Sequence, residues 1–213
     1  IIEKNVAYVK EMSGHGAKIF FTVIIPGDHA KKRAENYKIA IDSYKPIFDA
    51  AEKAGAKIVI EGWPGGGPYL SSLCCTPETY RSFIKDIGGS AVGINYDPSH
   101  LIRLGVDHIR FLREFAPRVF HVHAKDTETM PEAIYEYGTQ PATFAKGHGF
   151  GEWTWRYTIP GHGQTRWGEA FSILKDNSYK GVVSIELEDE NFNTGEEGEK
   201  AGLLNSQAFL KGV

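Results

Sequence analysis

The stretch "VFHVHAKD" (residues 119–126) sets two imidazoles into an apolar run that ends on a lysine and an acid. Side chains alternate between faces along a strand, so a strand here points His121 and His123 to the same side. Such a pair either fills a core or holds something. Working outward, "AVGINYDPSH" (91–100) is an apolar run ending at an acid and a proline, and "VVSIELED" (182–189) and "AKIVIEG" (56–62) are apolar runs that also reach acids. "AKIFFTVII" (17–25) is continuously apolar and β-branched, as expected of a strand buried on both faces.

Helical patterns separate these runs. Residues 1–16 read as an amphipathic helix. "HAKKRAENYKIAIDSYKPIFDAAEKAG" (29–55) carries Ile39, Ile41, Ile47, Phe48 and Ala51 near helical spacing, with Gly55 as a stop and Pro46 expected to kink or break it. A Gly-Pro-rich loop, "GWPGGGP" (62–68), precedes a short helix from about Thr76. Further helices are expected over about 103–115, in "WGEAFSILKDNSYKG" (167–181) and over 196–211. Strands alternating with helices imply α/β construction on a mainly parallel sheet. Residues 127–165 are too long for an ordinary connection and read as a functional loop or lid within a single domain spanning 1–213.

A chain of 213 residues with 41% hydrophobic and 12% aromatic content can bury one substantial core. Its net charge of −3 supplies no basic field for phosphate backbones, so nucleic acid is not an expected partner. No run approaches the roughly 20 apolar residues of a membrane helix. The only cysteines, Cys74 and Cys75, are adjacent and ill placed to bridge each other, which favours a reducing, cytoplasmic setting. The start lacks the pattern of a signal peptide, and without an initiator methionine the true beginning is expected upstream.

The informative regularity is where polar residues fall. Glu61, Asp97, His123 and Glu186 stand near the C-terminal ends of four successive strands, and in a parallel barrel those ends meet at one mouth. Three carboxylates and one imidazole suit Mn²⁺, Mg²⁺ or Co²⁺ better than structural Zn²⁺. Each residue also has an ordinary role: an acid here often caps a helix, and a strand histidine often hydrogen-bonds within a core. In "DPSH", His100 follows Asp97 by three residues and either reaches the same cavity, for substrate or a second metal, or caps the next helix. His121 is either a partner to the ligands, a substrate contact, or simply packed.

In this order, "KIVIEG", "GINYDPSHL", "VFHVHAKD" and "GVVSIELED" resemble the sugar phosphate isomerase/epimerase family of xylose-isomerase-like TIM barrels, over nearly the whole chain. The resemblance implies a divalent cation, commonly Mn²⁺ with Mg²⁺, Co²⁺ or Zn²⁺ as substitutes, held by Glu61, Asp97, His123 and Glu186. It implies that Glu61 and Glu186 are the acid/base pair, with His100 near the substrate. The fold expected is a TIM (β/α)8-type barrel, N-terminally truncated, with about the last five β/α units at 17–25, 56–61, 91–97, 119–123 and 182–187. Either the remaining strands lie outside this sequence, or a homo-oligomer contact or a partner completing the barrel covers the open edge.

"GFGEWTWRYTIPGHGQTRW" (149–167) departs from short-loop epimerases. Trp153, Trp155, Tyr157 and Trp167 either stack on a sugar ring or pack the loop, Arg156 can hold a carboxylate, phosphate or keto oxygen, and His162 lies in a turn that can face the mouth. His121, Lys125, Trp155, Arg156 and His162 join His100 as expected substrate contacts. The activity expected is carbohydrate isomerisation or epimerisation by proton abstraction beside a carbonyl, through an enediolate. The alternatives are a lyase of the same barrel type (an inosose dehydratase or an enzyme cleaving C-glycosides of oxidised sugars), an endonuclease-IV-like phosphodiesterase, and a sugar-binding module without turnover.

Overall fold

A computed structural model describes residues 1–66 and 72–213, so the last two positions of the Gly-Pro-rich loop expected at 62–68 lie outside the described residues. The chain divides into two compact units, one of residues 1–96 and 117–121, the other of 97–116 and 122–213.

The first unit contains α1 (Ile2–Gly14), β1 (Ile19–Thr22), α2 (Arg33–Lys53), β2 (Lys57–Glu61), α3 (Pro77–Ile87) and β3 (Val92–Tyr96), plus the first half of β4 (Val119–Ala124). β1, β2 and β3 pair in parallel, with Ile58 opposite both Phe20 and Val92. β2 and β3 are buried on both faces, as their unbroken apolar runs require. β1 differs from expectation: it is four residues long, and Ile19 and Phe21 are 45% and 52% exposed, because it is the outermost strand of its sheet.

Helix α2 runs through Pro46 without interruption. Its buried face, with Ile47, Phe48 and Ala51, packs toward α3, where the Phe48 and Phe83 rings meet edge-on at 5.7 Å, while Ile39 is exposed. Gly55, at φ +65°, ends the helix: its amide bonds to Glu52 and that of Ala56 to Ala51, a Schellman closure that a side chain would strain. Thr76 caps α3 by accepting from the Thr79 amide. Gly93 leaves room for its neighbours, since a Cβ there would lie 2.7 Å from the Phe120 ring and 3.0 Å from Val59.

The second unit contains α4 (Pro98–Arg103), α5 (His108–Phe115), the rest of β4, β5 (Asp126–Thr129), α6 (Pro131–Tyr137), β6 (Trp155–Thr158), α7 (Trp167–Asp176), β7 (Val183–Ile185) and α8 (Glu196–Gly212). The helix expected over about 103–115 is α5, which starts only at His108; α4, not expected, ends at Arg103, and beyond it Gly105 takes φ +71° while the Val106 amide bonds back to Leu101. β4 pairs in parallel with β7, His123 opposite Ser184. The sheet order β1-β2-β3-β4-β7 contains the five strands expected from the sequence.

Residues 127–165 are not irregular throughout. β5 and β6 form an antiparallel ribbon with Asp126 opposite Thr158, and α6 lies between them in sequence. Buried Asp126 accepts from the amides of Gly161 and Thr165 and from the Thr165 hydroxyl, tying down the turn after β6. Among the described residues no helix is long and apolar enough to cross a membrane.

Candidate functional site

In the second unit, Asp97, His123 and Glu186 each offer a ligand atom within 4.8 Å of the others. Local structure explains the convergence. Asp97 follows β3 and is the N-cap of α4, its Oδ1 accepting from the Ser99 amide (2.9 Å) and hydroxyl (2.6 Å). Capping and site-building therefore use different oxygens of one carboxylate, since Oδ2 faces His100 Nε2 at 3.3 Å and Lys125 Nζ at 3.5 Å. His123 lies one residue before the end of β4, and Glu186 directly follows β7, its amide bonded to the Ala124 carbonyl. That register sets His123 Nδ1 2.8 Å from Glu186 Oε2.

Lys125 is the buried cation of this cluster. Its ammonium lies 3.1 Å from Glu186 and 2.9 Å from Glu188, and 4.4 Å from the centre of the Tyr157 ring. Burial alone favours the neutral amine, but the charges of Asp97, Glu186 and Glu188, with Tyr157, outweigh it and raise the group well above the usual lysine range. Glu188, two residues beyond Glu186, was missed by sequence reasoning, although that spacing is the signal for a shared face of an extended chain.

A second chain of contacts surrounds His100, which is buried in α4. Its Nδ1 lies 2.7 Å from the Tyr157 hydroxyl, to which Arg103 Nη1 donates at 2.6 Å. The Arg103 guanidinium also covers one face of the Trp155 indole at 4.2 Å. Burial pushes the Tyr157 hydroxyl up, against the pull of Arg103 and Lys125. Arg103 was also missed; its place three residues after His100 on a helix is the usable signal.

The remaining expected substrate contacts are held in other ways. Arg156 is ringed by protein carboxylates: Glu128 at 2.9 Å, buried Asp189 at 3.3 Å and Glu190 at 3.8 Å. His162 is exposed, with its ring 5.8 Å from that of Phe192. Trp153 donates to the Ala145 carbonyl within its own loop, and Trp167 is buried at the start of α7.

In the first unit, Glu61 ends β2 and is buried; its Oε2 accepts from Asn95 Nδ2 at 2.7 Å. Asn95 Oδ1 lies 2.8 Å from His121 Nδ1, so the donating sense His121 to Asn95 to Glu61 satisfies all three groups. His121 is thus linked to Glu61 through an amide that sequence reasoning passed over. Asn95 stands two residues before Asp97 and shares its side of the chain.

The sequence profile described as "Xylose isomerase-like TIM barrel" matches residues 4–212. The chain belongs to that family. It is 34% identical to the uncharacterized protein YfiH of Bacillus subtilis (strain 168), over 81% of this chain and 52% of that protein. It is 26% identical to an inosose dehydratase of Clostridium botulinum (strain Alaska E43 / Type E3), over 73% of this chain and 48% of that enzyme. Among solved structures, the IolI protein with a bound zinc atom superposes with a TM-score of 0.67 at 21% identity, covering 99% of this chain and 69% of that one. The chain spans about half the length of the curated relatives it matches.

Proposed function

We propose that this chain carries the centre of a metal-dependent, sugar-modifying enzyme that removes a proton from carbon beside a carbonyl. The observation that carries this reading is the gathering of Asp97, His123 and Glu186 around a buried, charged Lys125. The donor set fits a divalent cation: oxygen-rich, with one imidazole. In the proposal Glu61 joins the other three as the fourth donor. Mn²⁺ is the preferred ion, and IolI, similar in fold, binds a zinc atom. A bound cation supplies Lewis acidity that stabilises negative charge developing on a carbonyl oxygen.

The chain's own residues do the rest. Glu186, partly exposed beside Lys125, takes the proton, and Lys125 holds the negative charge of Glu186 and Glu188 in place. His121 and Asn95 orient Glu61, which in the proposal serves the opposite face of the substrate. Proton return to that face epimerises, and return to the adjacent carbon isomerises. A second reading is elimination of water, favoured by the relatives named inosose dehydratase. There the proton goes to Glu186, the β-carbon–oxygen bond breaks, and the departing hydroxyl takes that proton from the Glu186 carboxyl and leaves as water. The substrate in either case is a small carbohydrate or cyclitol.

The test is proton NMR of the intact protein with Mn²⁺ and a panel of ketoses and inososes in D₂O. Deuterium entering the carbon beside the carbonyl is expected, with or without loss of water, and Glu186→Gln should abolish it. Full exchange in that variant removes Glu186 from the role. Nicking of abasic DNA without any exchange would instead favour the phosphodiesterase.

A further inference from the structure

Tyr157 lies on β6, remote in sequence from every strand end discussed, yet its hydroxyl is met by two groups of α4. Arg103 Nη1 is 2.6 Å and His100 Nδ1 2.7 Å from the same oxygen, and the His100 and Tyr157 rings pack edge-on with centroids 5.4 Å apart. A guanidinium only donates, so the Tyr157 oxygen accepts from Arg103, and its own single proton is available for one acceptor. On its other side, His100 Nε2 faces Asp97 Oδ2 at 3.3 Å, and a carboxylate only accepts. A neutral imidazole protonated on Nδ1 would turn a bare nitrogen lone pair toward that carboxylate. Protonated on Nε2, it offers its lone pair to the Tyr157 hydroxyl and its N–H dipole to the carboxylate.

We propose that Tyr157 is a positioning residue: by donating to Nδ1 it fixes His100 as the Nε2–H tautomer, which turns the positive end of that N–H toward Asp97 Oδ2, 3.3 Å away. Arg103 then donates to Tyr157 and Tyr157 to His100, whose Nε2–H faces the Asp97 Oδ2 charge. The Ser99 amide and hydroxyl hold the other oxygen, Oδ1. Outer partners of this kind set the orientation and basicity of an ion-binding side chain. The tautomer follows from the local geometry alone; an effect on cation affinity rests on the function proposed above.

The experiment is nitrogen NMR of the intact protein labelled with ¹⁵N-histidine, which separates protonated from bare ring nitrogens, beside Mn²⁺ titration followed by electron paramagnetic resonance. In the unaltered protein, His100 should show a bare Nδ1 and a protonated Nε2. Tyr157→Phe should bring in the other tautomer and weaken Mn²⁺ binding about 10-fold. Arg103→Met, which keeps the tyrosine ring, should shift the same signals and serves if the first variant fails to fold. A protonated Nδ1 in the unaltered protein, whether alone or with Nε2, overturns the proposal, as does an unchanged His100 spectrum in both variants. A tautomer change with unaltered Mn²⁺ affinity supports the role of Tyr157 and removes Asp97 from the cation site.

Discussion

Replacing Lys125 by methionine keeps most of the side-chain volume and removes an ammonium that Asp97, Glu186 and Glu188 share. Deleting one partner of a buried pair costs about 3–5 kcal/mol, because the other charge stays behind without compensation. Asp97 is buried and carries the full effect, whereas the side chains of Glu186 and Glu188 are 30% and 34% exposed and are partly rehydrated. The lower end, about 3 kcal/mol, therefore applies. With a urea dependence of about 2 kcal/mol per molar, the midpoint should fall by about 1.5 M. The sign with pH follows from the raised pKa of Lys125: its contribution is complete below the unfolded value of about 10.4 and fades only as pH rises through the higher folded value. The deficit attributable to its charge should thus be level between about pH 6 and 9. A midpoint change under about 0.5 M would refute the reasoning, showing that desolvation of the ammonium cancels its attraction.

Three other outcomes are expected. Gly93→Ala should destabilise by about 1–3 kcal/mol in the same urea assay, since its Cβ would press on the Phe120 ring and Val59; a neutral result would mean the sheet yields freely. His123→Ala should lower Mn²⁺ occupancy by elemental analysis, and full occupancy would take the imidazole out of the ligand set. The Glu190 carboxylate, held below its usual range chiefly by the hydrogen bond from His148 and also by the Gly149 amide, stabilises the 148–149 loop above an unfolded pKa of about 4.3 and loses that contribution as pH falls through its lower folded value. Hydrogen exchange at Gly149, corrected for intrinsic rate, should show protection at pH 6 that disappears in acid; equal protection at both would disprove the latch.

The parallel strands were legible because an unbroken apolar run of five or so residues ending at an acid fits little besides a strand covered on both faces, as β2 and β3 show. The edge character of β1 was not, since "IFFT" looks the same whether or not another strand lies beside it. Pro46 misled for a related reason: the ring removes one amide, but burial of Ile47, Phe48 and Ala51 holds the helix together across the gap. At the site, strand ends marked Asp97, His123 and Glu186, because register alone brings them close. Asn95, Arg103 and Glu188 are ordinary polar types whose partners, Glu61, Tyr157 and Lys125, are distant in sequence, and nothing in the sequence marks Arg156 as the partner of Glu128, Asp189 and Glu190.

The bare backbone at Gly93 lets Phe120 lie across from Val59. Any lineage that acquires a side chain at position 93 must trim Phe120 or Val59 in the same step or soon after. A side chain gained at position 93 should therefore leave its trace at Phe120 or at Val59.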